Sequence, residues 1–223
     1  MKRFSILLLA VIFCLPFSGC KKGEEDPGIS FKSRDGRVKG IWKLTKITET
    51  STDVDKTTVV FLGVSSSSVT TTTITVDYDG TDMTKTDLVT TEASSTTVND
   101  VTTTVTTYSL TVTINKDNTY SYSLDKTDKE YCTSDASTCT TFPSSNPVTY
   151  TEDEDGEWYW DDANDKKIHL KTYAPYFSGK LKKCSSSELI FESTWDESDK
   201  TTYTDYVNEG TYTGTSTYTW TKQ

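Results

Sequence analysis

Apolar and polar positions alternate along most of this chain, and this alternation predicts β-strands. The clearest segments are 40–47, 70–78, 101–114 and 120–124, in which Ile, Val, Leu, Tyr or Trp alternate with polar residues over at least part of the segment. Further strand-like segments are 157–160, 167–173, 188–195 and 212–220. No stretch longer than a turn or two has a helical period. The pattern therefore predicts an all-β, antiparallel fold of about eight to ten strands, mostly joined by short turns.

Three local signals indicate where these strands turn or bend. Asp79-Gly80 follows an alternating segment and is a strong hairpin signal. The segment 115–118 (Asn-Lys-Asp-Asn) turns the chain between two other strands. The apolar phase slips between Val105 and Tyr108, which predicts a β-bulge or bend.

Polar segments predict the connections. Residues 127–156 contain two Cys, two Pro and an acidic run and are expected to form a long loop, and 65–68 and 93–97 are expected to be shorter connections. The Thr-rich section 57–107 allows two interpretations. It could be a low-complexity stalk, but the apolar run 59–62 and the alternation around Ile74 favour strands.

The first twenty residues have the features of a secretory signal peptide. A basic start is followed by the apolar run 6–13 and by small residues before Cys20. The apolar run is shorter than the roughly 20 residues that a membrane-spanning helix needs. The segment therefore predicts export, with residues 1–19 removed.

Ser18-Gly19-Cys20 resembles a bacterial lipobox, although Phe17 stands where Leu is commonest in that motif. The resemblance implies cleavage after Gly19 and acylation of Cys20, so that the membrane is a partner through this anchor. An ordinary signal peptide followed by an incidental cysteine is the alternative. Residues 20–37 are then a lipidated N-terminus and linker. Their start is a charged leash that resembles the surface-export signal of Bacteroidota lipoproteins, which implies the outer membrane and allows exposure on the cell surface.

The composition restricts the classes of partner. The net charge is −10, and removal of the basic leader makes the mature chain more acidic still. Such a surface disfavours nucleic acid and anionic lipid. Hydrophobic residues make up 33 % of the chain, below the roughly 45–50 % of ordinary domains. Thr and Tyr, which are favoured in strands, compensate and indicate a folded β domain rather than disorder.

Three cysteines remain after processing, because Cys14 leaves with the leader and Cys20 would be acylated. Export permits a disulfide, and three cysteines cannot all pair. We expect a Cys132–Cys139 bridge that closes a small loop, with Cys184 buried or unpaired. A zinc site is not expected, because the chain has one histidine and the cysteine spacing fits no common pattern.

Gly40-Ile41-Trp42 opens the predicted domain soon after the tether, and hairpin-linked strands follow to the C-terminus. This order resembles the lipocalin-like lipoproteins of Bacteroidota. The resemblance implies a lipocalin-like β-barrel over 38–223, in which Gly40 and Trp42 close one end. An eight-stranded barrel of this kind can hold side chains or one small apolar ligand. The other matching segments are 110–120, 156–160, 168–170 and 188–191.

Candidate catalytic and metal-binding residues all have a simpler structural interpretation. His169 alternates with Ile168 and Leu170 and is expected to face solvent, and no Gly-x-Ser-x-Gly nucleophile motif occurs. Segment 77–82 has oxygen ligands on alternate residues, as a calcium loop does, but a hairpin turn is favoured. The acidic residues 152–155, with Asp161, Asp162 and Asp165, favour a solvated loop over a calcium site. No cofactor or catalytic residue is predicted.

Four aromatic residues raise the question of glycan binding. Trp158, Trp160, Tyr173 and Tyr176 could form a stacking platform for sugars, although aromatic residues on strands more often form core or cross-strand pairs. The leading functional hypothesis is a non-enzymatic cell-envelope lipoprotein that binds a small apolar molecule. The alternative is a surface interaction or glycan-binding β module. A membrane-spanning barrel is disfavoured by the lipobox and by the low hydrophobicity.

Overall fold

A computed structural model describes residues 24–27, 32–93, 96–134, 140–143, 149–162 and 167–223. Within these residues the chain forms one short helix and twelve strands. The helix, α1, spans Arg34–Val38. The first six strands are β1 (Gly40–Phe61), β2 (Val64–Tyr78), β3 (Asp82–Ala93), β4 (Thr96–Ile114), β5 (Thr119–Ser134) and β6 (Thr140–Pro143). They are followed by β7 (Thr149–Glu157), β8 (Tyr159–Trp160), β9 (His169–Lys171), β10 (Gly179–Cys184), β11 (Glu188–Tyr203) and β12 (Tyr206–Lys222).

All twelve strands belong to one antiparallel sheet. Its order is β6-β5-β4-β3-β2-β1-β12-β11-β10-β9-β8, and β7 pairs with β5. Strand β1 pairs with two different neighbours along its length: 40–43 with the end of β4, and 47–61 with β2. The β2–β3 hairpin therefore lies between β1 and β4 only beyond the first residues of β1, in the part of the sheet that we call upper. Below it lies a β-barrel core, and above it the long strands continue as a sheet that we call the extension.

The interior of the barrel core is filled with side chains. Trp42, Phe177, Phe191 and Trp220 are completely buried. The ring of Phe177 lies 4.7 Å from that of Trp220 and 5.1 Å from that of Phe191 (centroid distances). Aromatic pairs at these distances contribute beyond the area that they bury. The all-β barrel that the sequence predicted is confirmed, with more strands than expected.

Trp42 and Gly40 lie at the end of the barrel next to α1. The indole Nε1 of Trp42 donates a hydrogen bond to the carbonyl of Val38 at 2.6 Å. The Nζ of Lys222 lies 4.9 Å from the centre of the Trp42 ring. Gly40 has a φ of +134°, and a Cβ at this position would lie 2.5 Å from the side chain of Lys222. A larger residue is thus disfavoured by the backbone conformation, and it would also displace the end of the Lys222 side chain.

The N-terminal segment packs against the same end of the barrel. Asp26 is buried and accepts two hydrogen bonds of 2.9 Å from the guanidinium of Arg34, which is buried as well. The backbone N–H of Cys184 in β10 donates to the same carboxylate at 2.7 Å. The leash interpretation therefore fails for residues 24–27, because a buried, fully hydrogen-bonded carboxylate fixes them to the barrel.

The Thr-rich section is part of the sheet and is not a stalk. It supplies the last five residues of β1 (57–61), all of β2 and β3, and the first part of β4. The Asp79-Gly80 turn joins β2 to β3, the 115–118 turn joins β4 to β5, and a register shift lies between Val105 and Thr106. All three sequence signals are thereby confirmed.

Two predicted connections are wrong. Residues 65–68 lie inside β2, and 127–156 contain the end of β5, β6 and most of β7. Residues 65–68 are polar because this part of β2 is exposed or only partly buried, so its composition does not distinguish it from a loop. Among the described residues, no helix is long and apolar enough to cross a membrane.

Candidate functional site

The catalytic candidate His169 forms a local contact. Its side chain is exposed, as predicted, and its Nδ1 lies 2.7 Å from Oδ1 of Asp162. The other carboxylate oxygen of Asp162 accepts hydrogen bonds from the backbone N–H groups of Ile168 and His169. Burial opposes ionisation of Asp162, but these hydrogen bonds outweigh it and lower its pKa. These contacts link Asp162 to residues 168–169 at the start of β9.

The segment 77–82 forms a hairpin turn. Oδ1 of Asp79 accepts hydrogen bonds from the backbone N–H groups of Thr81 and Asp82, at 2.9 and 3.0 Å. Asp82 in turn pairs with Lys129 at 2.7 Å. The carboxylate of Asp79 therefore stabilises the turn and that of Asp82 forms an ion pair, as expected for a hairpin.

The acidic segment 152–155 also has structural partners. Glu152 accepts hydrogen bonds from the hydroxyls of Tyr122 and Tyr150, the latter at 2.6 Å. Asp165 lies outside the described residues. Within the described ranges, no group of three or more His, Cys, Asp or Glu residues is arranged to hold a metal ion.

The proposed aromatic platform is not assembled. Trp158 is buried and meets Trp160 edge-on, with 6.2 Å between ring centres. Tyr173 is 86 % exposed. Tyr176 packs against Tyr218, with 5.1 Å between ring centres. These aromatic residues are thus divided between core contacts and solvent and do not share one face.

Among the cysteines, Cys184 is free and buried. Cys20, the predicted acylation site, and Cys139, one partner of the predicted Cys132–Cys139 bridge, lie outside the described residues, so the anchor and the bridge remain predictions.

A cluster of tyrosines closes the barrel core towards the extension. Tyr78 and Tyr108 meet edge-on at 5.8 Å, and Tyr108 and Tyr176 at 6.1 Å. The hydroxyl of Tyr78 donates to the carbonyl of Tyr108 at 2.9 Å. Burial raises the pKa of Tyr78 and of Tyr218 to about 12, so both phenols are neutral. Side chains fill the barrel core below this cluster. The interior therefore gives no support to the hypothesis that the barrel binds a small apolar ligand.

The most unusual surface is an apolar patch at the far end of the extension, which we call the distal tip. It consists of the β1–β2 turn and the neighbouring β11–β12 turn. Phe61 is 73 % exposed, Leu62 87 % and Val64 71 %. Tyr203, on the neighbouring turn, is 66 % exposed. The members of the distal tip are Val59, Val60, Phe61, Leu62, Val64, Tyr203 and Tyr206.

The distal tip places a large apolar residue in an unfavourable backbone conformation. Leu62 and Gly63 form a two-residue turn with φ values of +53° and +79°. Such turns favour Asn-Gly or Gly-Gly, because left-handed backbone costs other residues about 1–2 kcal/mol. Leu62 is 87 % exposed, so packing within the described chain does not explain a leucine at this position.

Behind the distal tip, different kinds of side chain follow one another along the strands in a definite order. The two hairpins are joined by a 3.0 Å hydrogen bond from the N–H of Val60 to the carbonyl of Asp205. Tyr203 and Tyr206 pack with 6.0 Å between ring centres. Farther from the tip, Glu209 pairs with Lys200 at 2.5 Å and with Lys56 at 3.7 Å. Apolar side chains, tyrosines and ion pairs thus follow one another along the strands.

The sequence pattern does not identify the distal tip, because the apolar run 59–62 is typical of a core strand. One local signal could have identified the tip. Leu62-Gly63 stands between two strand-like segments, and a two-residue hairpin turn at this point places the apolar run at the end of a hairpin.

Comparisons with known proteins leave the family open. No protein-family model matches the chain, and no curated protein matches it in sequence. Two solved structures share limited likeness: the type II secretion secretin XcpQ of Pseudomonas aeruginosa (10 % identity, TM-score 0.18) and the Salmonella SPI-1 type III secretion secretin InvG (9 %, 0.17). The matches cover 82 % and 81 % of this chain but only 57 % and 58 % of those chains.

Proposed function

We propose that this protein is a cell-envelope lipoprotein that acts as a surface interaction module, with the distal tip as its contact surface. The observation that carries the proposal is the exposure of Phe61 and Leu62 at the end of an otherwise hydroxyl-rich sheet. Exposed apolar groups that no internal packing requires are typical of interaction sites.

The order of groups behind the tip favours a bilayer interface as the contacted surface. Apolar residues come first, the tyrosines and the turn residue Asp205 next, and the ion pairs last. Tyrosines are enriched at the membrane–water interface, and apolar groups enter it by about 5–10 Å. Phe61 and Leu62 would enter the interface, and Tyr203 would lie at the level of the headgroups.

The direction of the strands separates the anchor from the tip. Strand β1 has 22 residues, which corresponds to roughly 70 Å at about 3.3 Å per residue. Its first residue follows the short helix α1, whose Arg34 and Arg37 pair with Asp26, and its last residue belongs to the tip. An anchor at Cys20 would therefore hold the barrel near one membrane while the extension presents the tip to a surface opposite.

The anchor is tested by Cys20→Ser and membrane fractionation of the producing cells. Loss of the acylated cysteine is expected to release the protein to the soluble fraction. Unchanged membrane association would contradict the lipoprotein assignment.

The tip is tested by the double substitution Phe61→Ser/Leu62→Asn in the Cys20→Ser background, with flotation on phosphatidylcholine vesicles. Each buried apolar side chain contributes about 1.5–3 kcal/mol, so the double variant should bind at least about tenfold more weakly. Asn fits the left-handed turn at position 62, so the hairpin should fold at least as well. Ile41→Ser, a similar change at the opposite end, is the matched control. Equal binding by all variants would exclude the tip.

A further inference from the structure

The extension has one long unpaired strand edge. Strand β10 pairs with β11 only as far as Lys180 opposite Glu192. From 193 to 203, β11 pairs with β12 on one side, and no described strand pairs with its other side. We call this segment the β11 edge. Its outward N–H and C=O groups are available to a further strand.

The β11 edge is regular enough to accept such a strand. Its pairing with β12 continues without a register shift from Glu188 to Tyr203, and the segment contains no proline. Most proteins interrupt an edge with a bulge or a proline, or keep it short. This edge instead presents a continuous array of backbone groups.

The side chains of the edge define what could pair with it. By strand alternation, Trp195, Glu197 and Asp199 lie on the face that continues the barrel interior. Trp195 covers Gly214, where a Cβ would lie 2.4 Å from the indole, so its ring is held in place. Neither Glu197 nor Asp199 forms an ion pair with a described residue.

Neighbouring strands increase the negative charge of this face. Asp55 and Asp199 flank Gly210 in one row across the sheet, and Asp53 and Glu197 flank Tyr212 in the next. A Cβ at Gly210 would lie 2.5 Å from Oδ1 of Asp199 and 3.3 Å from Oδ1 of Asp55. On this face, a second copy of the edge would bring carboxylates against carboxylates, which is unfavourable. Charge complementarity thus requires a basic partner.

We infer that the β11 edge binds an extended segment of another polypeptide as an added antiparallel strand. The segment carries basic side chains opposite Asp199 and Glu197 and an apolar side chain opposite Trp195. From its N-terminus the partner has the order basic-x-basic-x-apolar. Backbone hydrogen bonds provide the affinity, and the alternating side chains provide the specificity, as in other cases of β-strand addition. The inference is separate from the proposed membrane contact, because it does not use the distal tip.

The test uses the full-length chain and the peptide Thr-Lys-Thr-Arg-Thr-Val-Thr with a fluorescent label, with binding followed by anisotropy. The double substitution Glu197→Lys/Asp199→Lys should weaken binding at least tenfold. A peptide with Glu in place of Lys and Arg should then bind this variant better than it binds the original chain. Asp153→Lys/Asp155→Lys makes the same charge change on exposed residues of β7 and should have less than a twofold effect.

A second peptide separates strand addition from charge attraction. N-methylation of alternate peptide bonds keeps every charge but removes hydrogen-bond donors, and it should abolish binding. Equal binding of the methylated peptide, or equal losses in the two charge-reversed variants, would overturn the inference. So would a chain whose edge is already occupied by a second copy, detected as a dimer by sedimentation. The variant Phe61→Ser/Leu62→Asn should bind the peptide as the original chain does. The peptide experiment can therefore be interpreted whether or not the tip proposal is correct.

Discussion

Cys184 shows how the environment of a single residue sets its chemistry. Its backbone N–H donates to the buried Asp26, and burial raises the pKa of its thiol to about 11 even though Arg34 and Arg37 oppose the shift. We expect no alkylation of Cys184 by iodoacetamide at pH 8 in the native protein, and rapid alkylation in urea. Peptide mapping by mass spectrometry distinguishes it from other cysteines. Modification at equal rates in both states would contradict its burial.

The same shift makes stability depend on pH. The thiol is an acid whose pKa is higher in the folded than in the unfolded chain, so the unfolded chain loses its proton first as pH rises. Its contribution to stability is therefore complete below about pH 9 and decreases between about pH 9 and 11. The buried phenols of Tyr78 and Tyr218 act in the same direction at still higher pH.

Individual residues differ in how far the sequence could predict them. The exposed His169 and the Asp79-Gly80 turn follow from alternation and local turn chemistry. Asp26 could not be predicted, because an aspartate in a charged, turn-forming segment is usually solvated. Its burial depends on Arg34 and on the N–H of Cys184, which are distant in sequence. Leu62 was missed for a similar reason, since its exposure depends on where the hairpin ends.

At the scale of the strands, the extension and the barrel core should differ in local stability. The part of β1 in the barrel contains the buried residues Trp42, Leu44 and Ile47, whereas the middle of β2 consists of partly exposed threonines. Local opening is easier where few apolar contacts are lost. Amides at 70–75 should therefore exchange with deuterium at least about tenfold faster than those at 42–47, measured by mass spectrometry.

Equal protection of the amides at 70–75 and at 42–47 would contradict this prediction, because it would mean that the sheet opens as one unit. Amides of the β12 barrel segment 216–220 are a suitable internal reference, because Trp220 and Ser216 are buried.

The strands also show what a periodic pattern can and cannot predict. The alternation identified strands in the barrel because one face is buried there, and the phase slip at Val105 located the bulge. In much of the extension both faces meet solvent, so Ser and Thr occupy successive positions, as at 65–68 and 70–73, and the alternation becomes weaker. The pairing of β1 first with β4 and then with β2 depends on long-range register, which local sequence does not contain.

For the whole molecule, the connection between the N-terminal segment and the barrel depends on Asp26. Its side chain has no exposed surface and pairs with Arg34 at 2.9 Å and with Arg37 at 3.5 Å. Asp26→Ala would leave two buried guanidinium groups without this carboxylate. Breaking a buried pair from one side costs about 3–5 kcal/mol, so the free energy of unfolding in urea should fall by about that amount.

Glu24→Ala is the matched control in the same segment. The Glu24 side chain is 68 % exposed and lies 3.7 Å from Lys180, which is 42 % exposed. Exposed pairs contribute about 0–1 kcal/mol, so this variant should unfold almost as the original chain does. If both substitutions had the same small effect, Asp26 would not fix the segment. If only Asp26→Ala is severe, the folded unit begins only six positions after Cys20, and an acylated Cys20 would hold the barrel close to its membrane while the extension points away.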